Sequence, residues 1–455
     1  MKGVFLNAVA VLLMGTGLTF AQTANNSMPQ GNAGPVPSAA EQLPARPIPV
    51  AVPTQDPPPS TENALAPLPR PLPISPPPPP PPPPTQLSQP LLPLDAGLDG
   101  FATRFWFSGD YLLWWLKTSS PPALVTTGSP TDAVPGALGQ SGTHVLFGDE
   151  VHNPVRSGGR FRGGYWFTPD QTFGVDGGFF FVFGDAARFA DSSNGVPILT
   201  RPFLNANTNQ EDAFLVAFPG QQAGSITGSL STHLWSADTN LRGMLFRGPT
   251  YQLSLLGGFR FLSLTDNLRL REMATLVPQS ASEPVSWTNS VDRFGTSTQF
   301  YGGQIGADFK WSRGRFFVDV LSKVALGTSV EHADINGWSS FTTSTGQSGS
   351  IGVGRIALPS NLGRYGQDQF AVVPEVGLNL GYAVTQHIRF TFGYTFLFWS
   401  SVFRVADQID RVINTTEFPA VVGQGTMVGP PRPNFTFKDN TFWAQGLNFG
   451  VELRY

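Results

Sequence analysis

A chain of 455 residues with net charge −3, no basic cluster and no cysteine is a poor match for nucleic acid, and it cannot form disulfides or carry a lipid on an N-terminal cysteine. Charged residues make up only 13%, about half the usual share of soluble domains, while aromatics reach 12%, with 37 Phe, 10 Trp and 50 Gly. Past the N-terminus there is no run of 18 or more apolar residues, which excludes a helical membrane protein and leaves a β wall facing lipid as the composition's natural home.

The first element reads as a secretory signal over residues 1–21. Lys2 supplies the positive start, Val9 to Leu18 a short apolar stretch, and Thr19-Phe20-Ala21 offers small residues (Thr19 and Ala21) at the positions read at cleavage, expected after Ala21. The apolar stretch is too short for a spanning helix, which needs roughly 20 residues. Residues 22–101 read as a disordered Pro-rich linker, with nine consecutive prolines from Pro76 to Pro84. Proline lacks a backbone donor and fixes φ, so this stretch favours polyproline II, and the nine prolines alone extend roughly 28 Å. A stiff spacer and a periplasmic segment that reaches the cell wall or a partner both fit.

Residues 102–455 change to period-two alternation, the mark of strands with one greasy and one polar face. In chain order, Phe105, Phe107, Tyr111 and Leu113 oppose Ser108 and Asp110; Phe161, Tyr165 and Phe167 oppose Arg160 and Arg162. Phe173, Val175, Phe179 and Phe181 oppose Asp176; Trp235, Leu241 and Leu245 oppose Asp238 and Arg242. Leu253, Leu255, Phe259 and Phe261 oppose Gln252, Ser254 and Arg260; Tyr301, Ile305, Ala307, Phe309 and Trp311 oppose Gln304, Asp308 and Lys310. Phe316, Val318, Val320, Val324 and Leu326 oppose Arg315, Asp319 and Lys323; Val372, Pro374, Val376, Leu378, Leu380 and Tyr382 oppose Glu375 and Asn379. Ile388, Phe390, Phe392, Tyr394, Phe396 and Phe398 oppose Arg389, Thr391 and Thr395; Leu447, Phe449, Val451, Leu453 and Tyr455 oppose Glu452 and Arg454.

These are ten strands, and 214–218 with 351–358 would raise the count to twelve. Short turns at 168–171, 247–250, 312–314 and 384–386 alternate with long loops at 118–156, 185–226, 272–291, 335–364 and 405–440. Brief turns on one side and extended loops on the other are the plan of an outer-membrane barrel. The expected fold is therefore all-β, a closed antiparallel transmembrane barrel in the cell outer membrane, with lipid as its surroundings. Trp106, Tyr165, Trp166, Trp311, Tyr382 and Tyr455 fall near the turn ends, and Trp114, Trp115, Trp399 and Trp443 near the loop ends, where headgroups favour flat rings with a polar handle. By parity Trp106 and Trp166 also suit the lumen.

With those strands in place the chain resembles the putative beta-barrel porin family 7. The likeness rests on YLLWWLK (Tyr111 to Lys117), PPALVTTG (Pro121 to Gly128), DRFGTSTQFYGGQIG (Asp292 to Gly306), LPSNLGRYGQDQFAVVPEVGLNLGY (Leu358 to Tyr382), GYTFLFWS (Gly393 to Ser400), DQIDRVIN (Asp407 to Asn414) and FWAQGLNFGVELRY (Phe442 to Tyr455). It covers roughly Phe105 to Tyr455 and omits the linker. The resemblance implies an outer-membrane pore and attaches no catalytic motif. A last strand placing Phe449, Val451, Leu453 and Tyr455 on one face also resembles the signal that barrel-assembly machinery recognises, which makes that machinery an expected partner.

Sites for chemistry are sparse. His144, His152, His233, His332 and His387 show no metal-ligand spacing, so solvated loop or wall positions are expected, with no cofactor and no metal. Glu331-His332 lies near the outer rim, where some ten-stranded barrels are proteases, but it lacks partner carboxylates. Asp407, Asp410 and Arg411 supply too few oxygens for a calcium cage and read as a salt-bridged loop. The informative polar set is inward by parity: Asp110, Asp176, Asp238, Asp308, Asp319, Glu375 and Glu452 with Arg160, Arg162, Arg242, Arg260, Lys310, Arg315, Lys323, Arg389 and Arg454. These groups either line a water-filled path for small solutes or pair across a narrow lumen, with Arg260 and Arg389 as candidate partners for Asp319. Barrels of about eight strands can be filled by side chains, whereas open porins use 16 to 18. The expected function is porin-like passive passage of small solutes; the alternative is a plugged structural or surface-interaction barrel, and neither is an enzyme.

Overall fold

The computed structural model describes residues 104–149, 154–278, 284–418 and 427–455, so the expected signal peptide and linker lie outside the described residues. Strands follow in chain order as β1 (Phe105–Leu116), β2 (Val125–Thr127), β3 (His144–Phe147), β4 (Arg156–Trp166), β5 (Phe173–Ser193), β6 (Leu199–Asn205), β7 (Gln210–Ala217) and β8 (Gln222–Arg247). The rest are β9 (Tyr251–Leu276), β10 (Trp287–Arg313), β11 (Phe316–Thr342), β12 (Ser348–Ile351), β13 (Gly363–Ala383), β14 (Ile388–Phe403), β15 (Val412–Ile413) and β16 (Asp439–Arg454). Ten of them close a ring in the order β1-β4-β5-β8-β9-β10-β11-β13-β14-β16, every neighbouring pair antiparallel. Around the apolar belt closure gives each ring strand a partner on both sides, the condition for a β wall in hydrocarbon. At the seam Asp110 stands opposite Gly450, where a Cβ would sit 1.9 Å from the Asp110 carboxylate. A side chain there would push the first strand off the last.

The strands are much longer than the sequence reading allowed. A lipid-spanning strand needs about 9–11 residues, yet β8 and β9 have 26 each and β10 and β11 have 27. The alternation reverses polarity part-way along them. On β9 the outward positions Leu255, Phe259 and Phe261 give way to Asn267, Arg269 and Arg271, while the inward set passes from Arg260 to Leu262, Leu264, Leu268 and Leu270. On β11 the outward apolar belt runs from Phe316 to Leu326 and is followed by His332, Asp334 and Asn336. One sheet thus serves two solvents: near the short turns it is greasy outside and charged inside, and beyond the belt it is polar outside and apolar inside. The expected loops 185–226, 272–291 and 335–364 are consequently part strand.

The two additional strand candidates do not join the ring, which has ten members. β7, containing Phe214, pairs with β6, and β12 extends the loop end of β11. β6 and β7 belong to a second, smaller sheet ordered β15-β6-β2-β3, with β7 on β6, built wholly from the long connections. Its apolar residues Leu124, Val125, Phe147, Leu199, Phe203 and Val216 share one core with ring residues Ile226, Leu230, Leu268, Leu270, Phe294 and Ile335. The loops therefore fold into the mouth of the barrel.

The belt supports a first test. Phe392 points outward, 45% exposed, and packs on Phe449 at 5.2 Å. Phe392→Arg is expected to destabilise the barrel by about 2–4 kcal/mol if the site lies near the midplane. Asn267→Arg, outward but beyond the belt, is expected to stay within about 0.5 kcal/mol. Denaturant unfolding in lipid vesicles measures both, and equal penalties would remove the belt assignment.

Candidate functional site in the barrel lumen

Nearest the short turns, Trp106 and Trp166 turn into the lumen and cover Arg242 at 5.9 Å from each ring. Arg242 donates to Asp176 at 2.8 Å and also pairs with Asp308. Lys310 lies 3.8 Å from Asp319, Arg454 pairs with Glu452, and Arg389 is set over the ring of Phe317 at 5.4 Å. A recess of about 60 Å³ remains here, lined among others by Trp106, Trp166, Arg242, Asp308, Lys310 and Glu452. Arg315, expected inside, is instead exposed at the turn end, where β11 begins and the wall no longer encloses it.

The next level is a cross-braced network. Arg260 of β9 reaches Glu375 of β13 at 2.6 Å, three strands around the ring. Lys323 of β11 reaches Asp238 of β8 at 2.9 Å, and Gln304 donates to the same carboxylate at 3.1 Å. Arg160 donates to Asp110 at 2.8 Å and to Thr395 of β14 at 3.1 Å, with Arg162 3.8 Å from Asp110. Asn448 donates to Thr395 and accepts from the Trp114 indole at 2.9 Å. Contacts between strands that are not neighbours require side chains to meet across the interior. The candidate partners of Asp319 are corrected here: Arg260 takes Glu375, Arg389 lies on Phe317, and Asp319 faces Lys310.

Above the charges sits an apolar layer. Trp114, Phe180, Leu234, Leu262, Phe300, Trp399 and Phe442 lead a cluster of buried side chains drawn from nine of the ten ring strands, all but β4, and none of them is more than 5% exposed. Trp114 and Trp399 were expected at the headgroups; both are fully buried, because this stretch of strand turns its apolar face inward. Trp115 and Trp443 do point outward.

A third polar level, absent from the sequence reading, joins the ring to the folded loops. Arg404 donates to Asp266 at 2.6 Å. Arg201 of β6 donates to Asp292 at 2.7 Å and Glu272 at 3.2 Å, and Arg355 also pairs with Glu272. Burial opposes the charge of Arg201, but Asp292 and Glu272 outweigh it and hold the guanidinium above its ordinary pKa. The other Asp292 oxygen accepts the backbone N–H groups of Arg355, Ile356 and Ala357 at 2.9, 3.0 and 2.9 Å. Gly354 permits this approach, since a Cβ there would fall 1.9 Å from that oxygen. The signal for Asp266 and Glu272 was present: they keep the inward parity of Leu264, Leu268 and Leu270 in a segment whose outward face had become polar.

Glu331 is buried and His332 exposed, because consecutive strand residues face opposite ways, so the pair cannot act together. His144 and His233 are exposed, His387 stacks on Tyr455 at 5.5 Å, and His152 lies outside the described residues. Asp410 pairs with Arg432 at 2.7 Å, Asp407 accepts from Asn440, and Arg411 pairs with Glu211 at 2.7 Å. Among the described residues no three His, Cys, Asp or Glu side chains are grouped to hold a metal. Phe449, Val451 and Tyr455 stand exposed on the outer wall, with Leu453 part-exposed in the same row.

A family model described as Putative beta barrel porin-7 (BBP7) matches residues 106–455, the whole of the ring. The chain belongs to that family. No curated protein matches this porin-7 chain. Among solved structures, it is similar to the outer membrane protease OmpT from Escherichia coli, with 9% identity and a TM-score of 0.37 over 77% of this chain and 97% of that one. It is also similar to the toluene transporter TodX of P. putida, with 9% identity and a TM-score of 0.13 over 80% and 92%. Likenesses this distant say nothing about what the porin-7 barrel does. Its place is the outer membrane.

Proposed function

We propose that this porin-7 barrel is closed and serves as an outer-membrane scaffold that presents its folded loops at the surface. The apolar layer carries the reading. Side chains from nine strands meet there with exposures of 5% or less, so a hydrated solute would have to displace Trp114, Phe300 and Trp399 to pass. Beneath it Arg260 is paired with Glu375, Lys323 with Asp238, Arg160 with Asp110 and Arg242 with Asp176. The short-turn end is assigned to the periplasm, since Phe105 and Tyr455 pair there (N to O, 2.9 Å) and outer-membrane barrels keep their brief turns on that side. The folded loops then face outward.

Passive passage of small solutes, the reading that family membership favours, needs a second conformation in which the apolar layer parts. Single-channel recording on purified protein in planar bilayers decides between them. The expected result is no steady current. Large, stable currents from the wild type would overturn the closed-barrel reading and restore the pore.

A further inference from the structure

The outer wall beyond the apolar belt carries an unmatched row of cations. Arg188 stands in register with Ser229, Ser229 with Arg269, Arg269 with Arg293, and Arg293 with Asn336, so these side chains share one face across β5, β8, β9, β10 and β11. Arg188, Arg269, Arg271 and Arg293 are all exposed, and among the described residues none is in ion-pair contact with a carboxylate. The nearby outward acid, Asp334, is taken by Arg364 at 2.8 Å. Glu272 and Asp292 of the same strands point inward to Arg201. Like charges placed directly opposite on neighbouring strands are destabilising, and Arg269 against Arg293 is such a pair. Around it lies a groove of about 500 Å³, floored by Val291 and bounded by Arg271, Asn289, Asn336 and the half-exposed Trp338.

We infer that this groove binds the phosphorylated sugar headgroup of an outer-leaflet glycolipid. The inference rests on the outward orientation of the loop end proposed above. Planar guanidinium groups bind phosphate oxygens in paired hydrogen bonds, and the two amides and the indole add donors and a stacking face. Height selects the class of lipid. Arg293 lies eight residues beyond Tyr301, which is in the outward belt. Eight residues are about 26 Å along a strand and roughly 18 Å in height at a tilt near 45°. A phospholipid headgroup reaches only about 5–8 Å above the hydrocarbon, so its phosphate stays below the row, whereas a headgroup of several sugars spans the gap. The wall between belt and row is neutral and polar (Ser263, Thr265, Asn267, Ser297 and Gln299), as a sugar-facing surface would be.

The test is titration of detergent-solubilised full-length protein with three probes: lipopolysaccharide with a phosphorylated core, the same lipid after chemical dephosphorylation, and inorganic phosphate. The phosphorylated glycolipid is expected to bind at least about tenfold more tightly than either of the others, and Arg269→Gln/Arg293→Gln to lose about tenfold. Arg269→Lys/Arg293→Lys, which keeps the charge but not the paired hydrogen bonds, should bind between the wild type and the glutamine variant and guards against a folding defect in the latter. Equal binding by wild type and the glutamine variant overturns the site. Equal binding of the dephosphorylated lipid, or of inorganic phosphate alone, overturns the phosphorylated-glycolipid assignment. A protease-cleavable tag at Ser344 checks orientation independently: inaccessibility on intact cells would overturn the outer-leaflet placement whatever the detergent titration shows.

Discussion

Glu375→Ala is expected to destabilise the barrel by about 3–5 kcal/mol, because it strands the buried guanidinium of Arg260. Arg260 is 1% exposed, and among the described residues its Nε and Nη1 atoms have no partner and Glu375 is its one ion-pair contact. Deleting the carboxylate leaves that charge with only its cross-strand neighbour Asp238, which already pairs with Lys323. Arg260→Met/Glu375→Leu removes both charges and is expected to fall near the wild type or above it, since replacing a buried pair with apolar groups of similar volume is often neutral or stabilising by about 1–4 kcal/mol. Urea unfolding in detergent micelles, followed by tryptophan fluorescence, measures all three proteins. A cost below about 1 kcal/mol for Glu375→Ala, the range of solvent-exposed pairs, would mean that water reaches Arg260. The lumen would then be wet at this level, and the closed-barrel reading would lose its lower half.

Asp292→Ala is expected to release the folded loops while the ring survives. The carboxylate is fully buried and holds Arg201 of the small sheet together with three consecutive backbone N–H groups from Arg355 to Ala357. Its removal orphans those donors at about 1–3 kcal/mol for each that finds no water, and it leaves Glu272 shared by two arginines. Asp292→Asn keeps an acceptor for the backbone and loses only the charge, so its effect should be smaller. Hydrogen exchange reports the outcome by segment: faster exchange at 199–217 and 352–358 with unchanged protection in β13 and β14. Unchanged exchange in the loops of Asp292→Ala would show that the apolar core of the small sheet holds it in place alone.

The ten strands and their outward faces were legible because they depend on nearest-neighbour chemistry. A lipid-facing strand must alternate, and the alternation in residues such as Phe390 to Phe396 can be read without knowing the partner strands. The same rule set the ring closure, since a strand in hydrocarbon cannot leave an open edge. What the sequence did not yield was where the lipid stops. Residues 272–276 and 335–342 were placed in loops, because a greasy outer face was the criterion for a strand; in water the criterion reverses, and β9 and β11 continue. Charge partners were equally hidden. Parity places Arg260, Glu375 and Asp319 on the inner face, but which of them meet depends on ring order and strand stagger, set by pairings up to hundreds of residues apart. The apolar layer and the small sheet, which decide whether anything can pass, exist only once Trp114, Phe300, Trp399 and Phe442 are brought from opposite walls to one level. Local pattern determines which face a residue takes; only the closed ring determines what it faces.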